Sequence, residues 1–196
     1  EPDEMAQALC FLASEAARGL QGQVLSVDGG SSVYGGSQTL LPSTHVPVRA
    51  DTPMVLDVFG DAPDAWSGVG DVAAPAGSYP ACLDLSLIRA EPSECLSALL
   101  DAARRFEQVH PASASLTLLL PPTSAQPWAQ AGQASALRML LATLACEWGA
   151  KALRINAVQL SQGWSASALT PLLRYMAGAR AQYLTGQILQ WQHRPI

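Results

Sequence analysis

The sequence predicts an α/β chain: a parallel sheet with helices on both faces. Three observations carry this. Segments of helical periodicity alternate with short apolar runs, the order that places helices between parallel strands. One run, residues 116–120, is Leu-Thr-Leu-Leu-Leu without a break, as expected of a strand covered on both sides. The 196 residues are 49% hydrophobic and 14% charged, a composition that builds a packed core and not a disordered chain.

The elements follow in order. Pro2, Asp3 and Glu4 open a helix, because proline is tolerated in the first turn and acids favour the positive end of the helix dipole. Met5, Ala8, Leu9, Leu12 and Ala16 give it an apolar stripe, and Gly19 is its expected stop. Residues 23–27 read as a strand ended by Asp28-Gly29-Gly30. Residues 37–53, with Pro42, Pro47 and Pro53, read as a linker. A strand follows over 54–59, then a Gly/Ala/Pro-rich loop over 60–80 and a short strand or approach loop over 83–87. Pro92 opens a helix with the stripe Leu96, Leu99, Leu100, Ala103 and Phe106, ended by Pro111. After the 116–120 strand, a helix over 128–148 carries Leu137, Leu140, Leu141, Leu144, Ala145 and Trp148 at three- and four-residue spacing. A strand over 153–158, a helix from Pro171 and a strand over 186–191 complete the order.

Bulk properties narrow the partners. With 11 Lys and Arg and a net charge of −5, the chain is a poor match for nucleic acid or an anionic membrane. No apolar run reaches the roughly 18 residues that span a bilayer, and no signal peptide is visible, so the cytoplasm is the expected location. Glu1 in place of an initiator Met leads us to expect that the chain begins inside a longer protein. Cys10, Cys82, Cys95 and Cys146 are scattered without metal-ligand spacing and read as structural thiols. His45, His110 and His193 have no evident partner and read as solvated.

The two ends of the chain match each other. Residues 9–13 align with 173–177, and Leu-Gln-Gly-Gln-Val-Leu at 20–25 aligns with Leu-Thr-Gly-Gln-Ile-Leu at 184–189, at one offset of 164 residues and without a gap. A constant offset across helix, turn and strand points to duplication. Residues 1–36 then form the tail of one module and residues 54–196 a second copy.

Residues 1–30, EPDEMAQALCFLASEAARGLQGQVLSVDGG, resemble the C-terminal helix and strand of short-chain dehydrogenases/reductases, with their Phe-Leu-Ala-Ser run and closing Asp-Gly-Gly. Residues 141–158, LATLACEWGAKALRINAV, resemble that family's active-site helix and following strand, and Leu184-Thr185-Gly186-Gln187 resembles its last strand. The resemblance implies a truncated Rossmann-like, doubly wound parallel sheet and an ancestor dependent on NAD(P).

The same resemblance locates the missing chemistry. The family reduces carbonyls with a Tyr, a Lys four residues later, a Ser and an Asn. Those positions fall at Gln130, Ala134, Pro121 and Ser86, with Thr123 and Ser124 close to the third. Gln does not titrate and Ala carries no charge. The chain's one lysine, Lys151, has Glu147 four residues before it, so no register restores a Tyr-x-x-x-Lys motif. The Gly-rich turn that would admit a pyrophosphate is reduced to Gly60, followed by Asp61 and Asp64. Gly68 and Gly70 read as turn glycines. Twenty-five residues separate Gly60 from Ser86, too few for the strand–helix units of a nucleotide-binding half. No bound cofactor is therefore expected of this chain, and NAD(P) belongs to the parent enzyme.

What remains is packing surface. In the family, two long helices form a four-helix bundle across a two-fold axis, and the last helix and strand form a second two-fold contact. Here these correspond to 92–109 with 128–148, and to 171–191 with 5–27. Leu99, Phe106, Met139, Ala142, Leu144 and Trp148 are the candidate interface residues, and Ala131, Gly132, Ala134 and Ser135 permit close helix approach. The expected function is a catalytically degenerate module that supports the assembly of an NAD(P)-dependent oxidoreductase, its partner being another module of the family. That partner is expected before Glu1, with Tyr-x-x-x-Lys intact. Two alternatives stand beside it: a fragment of an active reductase of 3-oxoacyl-type carbonyls whose site lies outside this chain, and a non-catalytic module that binds a small ligand in the old cleft.

Overall fold

Five strands form one all-parallel sheet in the order in which they occur along the chain: β1 (Met54–Phe59), β2 (Tyr79–Asp84), β3 (Ala114–Leu120), β4 (Leu153–Gln159) and β5 (Ile188–Gln190). Among the described residues four α-helices accompany them: α1 (Pro2–Leu12), α2 (Cys95–Val109), α3 (Ala129–Trp148) and α4 (Ala166–Ala177). The computed structural model describes residues 2–34, 43–60, 64–66, 68–71, 73, 75–122 and 129–192. Among the described residues no helix is long and apolar enough to cross a membrane.

Helices cover both faces. Every residue of the central strand β3 is buried, which explains its unbroken apolar run. Leu116, Leu118 and Leu120 point into one core with Ile155 and Ala157, closed by α2 and α3. Leu119 points the other way, with Leu83 and Val158, into a second core closed by α4 and by Phe11 of α1. The strands advance in one direction across the sheet, yet α2 and α3 cross on one face and α4 on the other. The β4–α4–β5 crossover therefore has the opposite hand to the two before it. The near-universal right-handedness of such units gives the first two that hand and makes the last the uncommon one.

Several boundaries differ from the sequence reading. α1 stops at Leu12, not at Gly19: the Ser14 hydroxyl donates to the Phe11 carbonyl at 2.6 Å, and the chain continues as a 3-10 turn over Glu15–Ala17. Residues 23–27 form no strand: the side-chain amide of Gln23, and not its main chain, meets the edge of β5, donating to the Gln190 carbonyl at 2.5 Å and accepting from the Gln190 N–H at 2.7 Å. β2 begins at Tyr79, inside the expected loop. Pro80 is tolerated there because β2 pairs with β3 only from Ala81 onward, so its missing N–H costs no ladder bond. α4 begins at Ala166, where the Ser165 hydroxyl accepts from the Ala168 N–H at 3.3 Å, and Pro171 lies inside the helix on its exposed side.

The sheet ends at β1, and an open edge invites pairing with another chain. Asp71 blunts it. Its backbone N–H donates to the Leu56 carbonyl, and its carboxylate accepts from the Leu56 N–H, both at 3.0 Å. Arg174 of α4 holds that carboxylate with two contacts at 3.1 and 3.2 Å. One loop residue thus occupies the middle of the edge. Leu56 is 1% exposed, so removing the carboxylate leaves a buried donor without a partner. Asp71→Ala is expected to destabilise the fold by about 1–3 kcal/mol, read as a lower denaturant midpoint with unchanged slope; an unchanged midpoint would show that the edge needs no cap.

Candidate functional site

In an open parallel sheet, ligands bind beyond the C-terminal ends of the strands. Here those ends carry Phe59-Gly60, Asp84-Leu85-Ser86, Leu120-Pro121 and Gln159-Leu160. Two of the four positions singled out from the sequence, Ser86 and Pro121, follow the adjacent strands β2 and β3. Ser86 is turned back on its own strand end: its N–H and hydroxyl both donate to one Asp84 carboxylate oxygen. The Pro121 carbonyl accepts from the Gln159 side-chain amide. Ala134 lies half-buried on α3, Gln130 is on the first turn of that helix, and its side chain falls outside what is described. Thr123, Ser124, Trp128, Asp61 and His193 also lie outside the described residues, as does the side chain of Asp64.

The groups at this edge hold one another. The Asp84 side chain is 3% exposed and pairs with Arg105 of α2 at 3.0 Å. Gly60 adopts φ +93°, and a Cβ built there would lie 3.0 Å from the Ser86 nitrogen. The glycine is required because the end of β1 runs directly against the backbone that follows β2, and the gap between those strands is filled by main chain. On the α4 face, Trp66 stacks on Trp164 with ring centroids 5.5 Å apart, and Trp66 is 2% exposed. These indoles pack between the β1–β2 loop and the β4–α4 loop.

The thiols are unsuited to nucleophilic work. Burial, with the nearby carboxylates of Asp84 and Asp57, pushes the Cys82 thiol up to about 12. Burial also raises Cys95 and Cys146. Cys10 is exposed on α1. Among the described residues no three His, Cys, Asp or Glu side chains converge where they could hold a metal ion. His110 packs against the Phe106 ring, and burial holds its imidazole below the usual range against the opposing pull of Asp57.

The best-formed polar cluster lies at the opposite, C-terminal lobe. Arg154, 4% exposed on β4, donates to the carbonyls of Met176, Ala177, Gly178, Ala181 and Leu184 and to the Tyr79 hydroxyl. Asn156, two residues on and on the same face, donates to the Leu184 carbonyl at 2.7 Å and accepts from the Gln187 N–H at 3.1 Å. The Arg-x-Asn pair clamps the end of α4 and the approach to β5, a structural task.

Residues 2–20 and 166–184 meet at this lobe, and the offset seen in the sequence has a counterpart in the geometry. The offset of 164 carries α1 onto α4 and the 3-10 turn Glu15–Ala17 onto the 3-10 turn Ala179–Ala181. Ser14 (φ −91°, ψ 160°) matches Gly178 (−78°, 168°), and Arg18 (−55°, −25°) matches Gln182 (−61°, −21°). Gly22 and Gly186 both take the left-handed φ, +74° and +72°. Contacts are reciprocal: the first turn packs on α4 and the second on α1. Phe11 stacks face to face on Tyr175, its own counterpart, with centroids 3.8 Å apart and planes 5° apart. A residue that meets its counterpart marks a local two-fold relation.

The six candidate interface residues divide. Leu99, Phe106, Leu144 and Trp148 are buried in the chain's own core, whereas Met139 is 69% exposed and Ala142 half-buried on the outward side of α3. The Asp71–Arg174 cap and the Trp66–Trp164 stack each join residues about a hundred positions apart and leave no local signal in the sequence. The Phe11–Tyr175 contact had one, since both are aromatic at matched positions of the repeat.

No family model matches the chain, and neither does any curated protein or solved structure. Of the features described, the Arg154 clamp gives the sharpest expectation. Arg154→Met leaves several buried carbonyls without donors and should cost on the order of 3 kcal/mol. Arg154→Lys should fare little better, because an ammonium cannot reach a fan of acceptors with a planar fork. Urea unfolding of both variants checks this, and wild-type stability in the lysine variant would contradict it.

Proposed function

We propose that this chain is a catalytically degenerate module of the short-chain dehydrogenase/reductase type that supports the assembly of an NAD(P)-dependent oxidoreductase through a partner module. The observation that carries the reading is the reciprocal packing of residues 2–20 against 166–184, in which a helix and turn resembling the end of one module sit on the corresponding elements of another. The strand-end region favours the same reading: Ser86 is bonded to Asp84, Pro121 stands where a hydroxyl would be needed, and Ala134 brings no charge. The intact reductase centre and its cofactor belong, in this reading, to the partner.

The outward side of α3 is suited to such a partner. Ala131, Gly132, Ser135 and Met139 are exposed there. The hydroxyls of Ser135 and Thr143 donate to the carbonyls four residues back, each at 2.8 Å, so they add little free polarity. The opposite side of the helix is already committed through Leu137, Leu141, Leu144, Ala145 and Trp148. Burying one large apolar side chain contributes roughly 1.5–3 kcal/mol, and small neighbours let a second helix approach.

Met139→Glu and Ala142→Arg are therefore expected to weaken association while leaving the thermal unfolding of the chain nearly unchanged. Light scattering coupled to size exclusion, with a melting curve for each variant, checks this. The reading fails if both variants stay assembled like the parent, or if the chain is a monomer at every concentration.

A further inference from the structure

The two halves of the repeat agree through the 3-10 turn and then part. Ala17, Arg18 and Leu20 donate to Ser14, Glu15 and Ala17 at 3.1, 3.2 and 2.9 Å, as Ala181, Gln182 and Leu184 donate to Gly178, Ala179 and Ala181 at 3.1, 3.3 and 2.8 Å. Beyond this point the second copy enters the sheet. Gly186 N–H donates to the Ile155 carbonyl at 2.8 Å, Ala157 N–H to Gln187 at 2.9 Å and Trp191 N–H to Gln159 at 2.9 Å, while Asn156 bonds Leu184 and Gln187. In the first copy the main chain of residues 22–27 has no hydrogen bond to any described residue. Extended backbone with unmet donors and acceptors is a template for strand pairing.

The side chains carry the correspondence further. Leu25 packs on the α4 core, as its counterpart Leu189 does. Val24 corresponds to Ile188, which packs on the opposite core beneath α3. Val24 has nothing beneath it and is 85% exposed. Within residues 23–27 only Val24 is exposed, at the position where β5 places Ile188 against the opposite core.

We infer that residues 22–27 are the last strand of a second parallel sheet, completed by a partner α/β module whose penultimate strand pairs with them and whose helix covers Val24. This rests on the assembly reading above and names the part of the partner that makes the contact. The strand that would pair is the partner's equivalent of β4, with an amide side chain placed like that of Asn156 to bond the Leu20 carbonyl and the Gln23 N–H. A second copy of this chain does not fit, because the matching edge of its β4 is already taken by its own β5. The occupant is a module that lacks a last strand of its own.

Hydrogen exchange at Gly22, Gln23 and Val27, the counterparts of Gly186, Gln187 and Trp191, tests this on the full natural product of the gene and on the 196-residue chain. In the chain these three amides should exchange freely. In the full product they should slow by a factor of about ten or more, toward the protection of their counterparts. Val24→Lys should abolish that slowing without moving the melting temperature of the chain, since the side chain is exposed there. Protection of the three amides that Val24→Lys removes supports the inference. Free exchange in a full product that assembles through α3 overturns the strand inference and leaves the assembly reading standing. A full product without a second α/β module overturns both.

Discussion

The chain leaves β4, passes over the face opposite to its two preceding crossovers, and returns as β5. One buried guanidinium holds that path. Arg154 reaches from the N-terminal end of β4 to the carbonyls that end α4 and its following turn, where the helix dipole is negative. An isolated charge at 4% exposure would be costly. Five carbonyls and the Tyr79 hydroxyl meet all sides of the fork, and the Tyr79 ring lies 5.4 Å from its centre. With this clamp in place, the turn Ala179–Ala181 presents a fixed surface to α1, and the N-terminal tail has something to dock on. The local two-fold arrangement thus depends on a side chain that touches neither aromatic ring at its centre.

The distribution of polar groups separates what this fold supports from what it does not. Arg154 and Asn156 at the C-terminal lobe are buried and directed at backbone. Those at the strand ends are paired with each other, Ser86 and Arg105 with Asp84 and Gln159 with Pro121, and Gly60 closes the space between β1 and β2. A reductive centre needs titratable groups directed at a substrate; the described groups at this edge are directed at the protein. Both cores are continuous, and the edge left by a short sheet is capped by Asp71 instead of another strand.

The α/β architecture was legible because its signals are local: an unbroken apolar strand, amphipathic helices and strand–helix alternation each follow from a few consecutive residues. The repeat was legible because its two halves keep one spacing, 164 residues apart, across helix and turn. What stayed hidden depends on distant partners. The Ser14 hydroxyl ends α1 earlier than Gly19 would, a competition between side chain and helix that apolar periodicity does not register. Residues 23–27 carry strand sequence but lack a main-chain partner, and a strand is defined by pairing. Leu99, Phe106, Leu144 and Trp148 carry the apolar signature shared by core and interface, and their placement in the core became apparent only with the sheet assembled.

In the function proposed above, the chain contributes packing and its partner the cofactor chemistry. The most direct measurement is a titration of the purified chain with NADH and NADPH, followed by nucleotide fluorescence and by calorimetry. The chain is expected to give no saturable signal into the millimolar range, where binding contributes only about −4 kcal/mol. A stoichiometric isotherm with a dissociation constant below about 100 μM, roughly −5.5 kcal/mol, would contradict it.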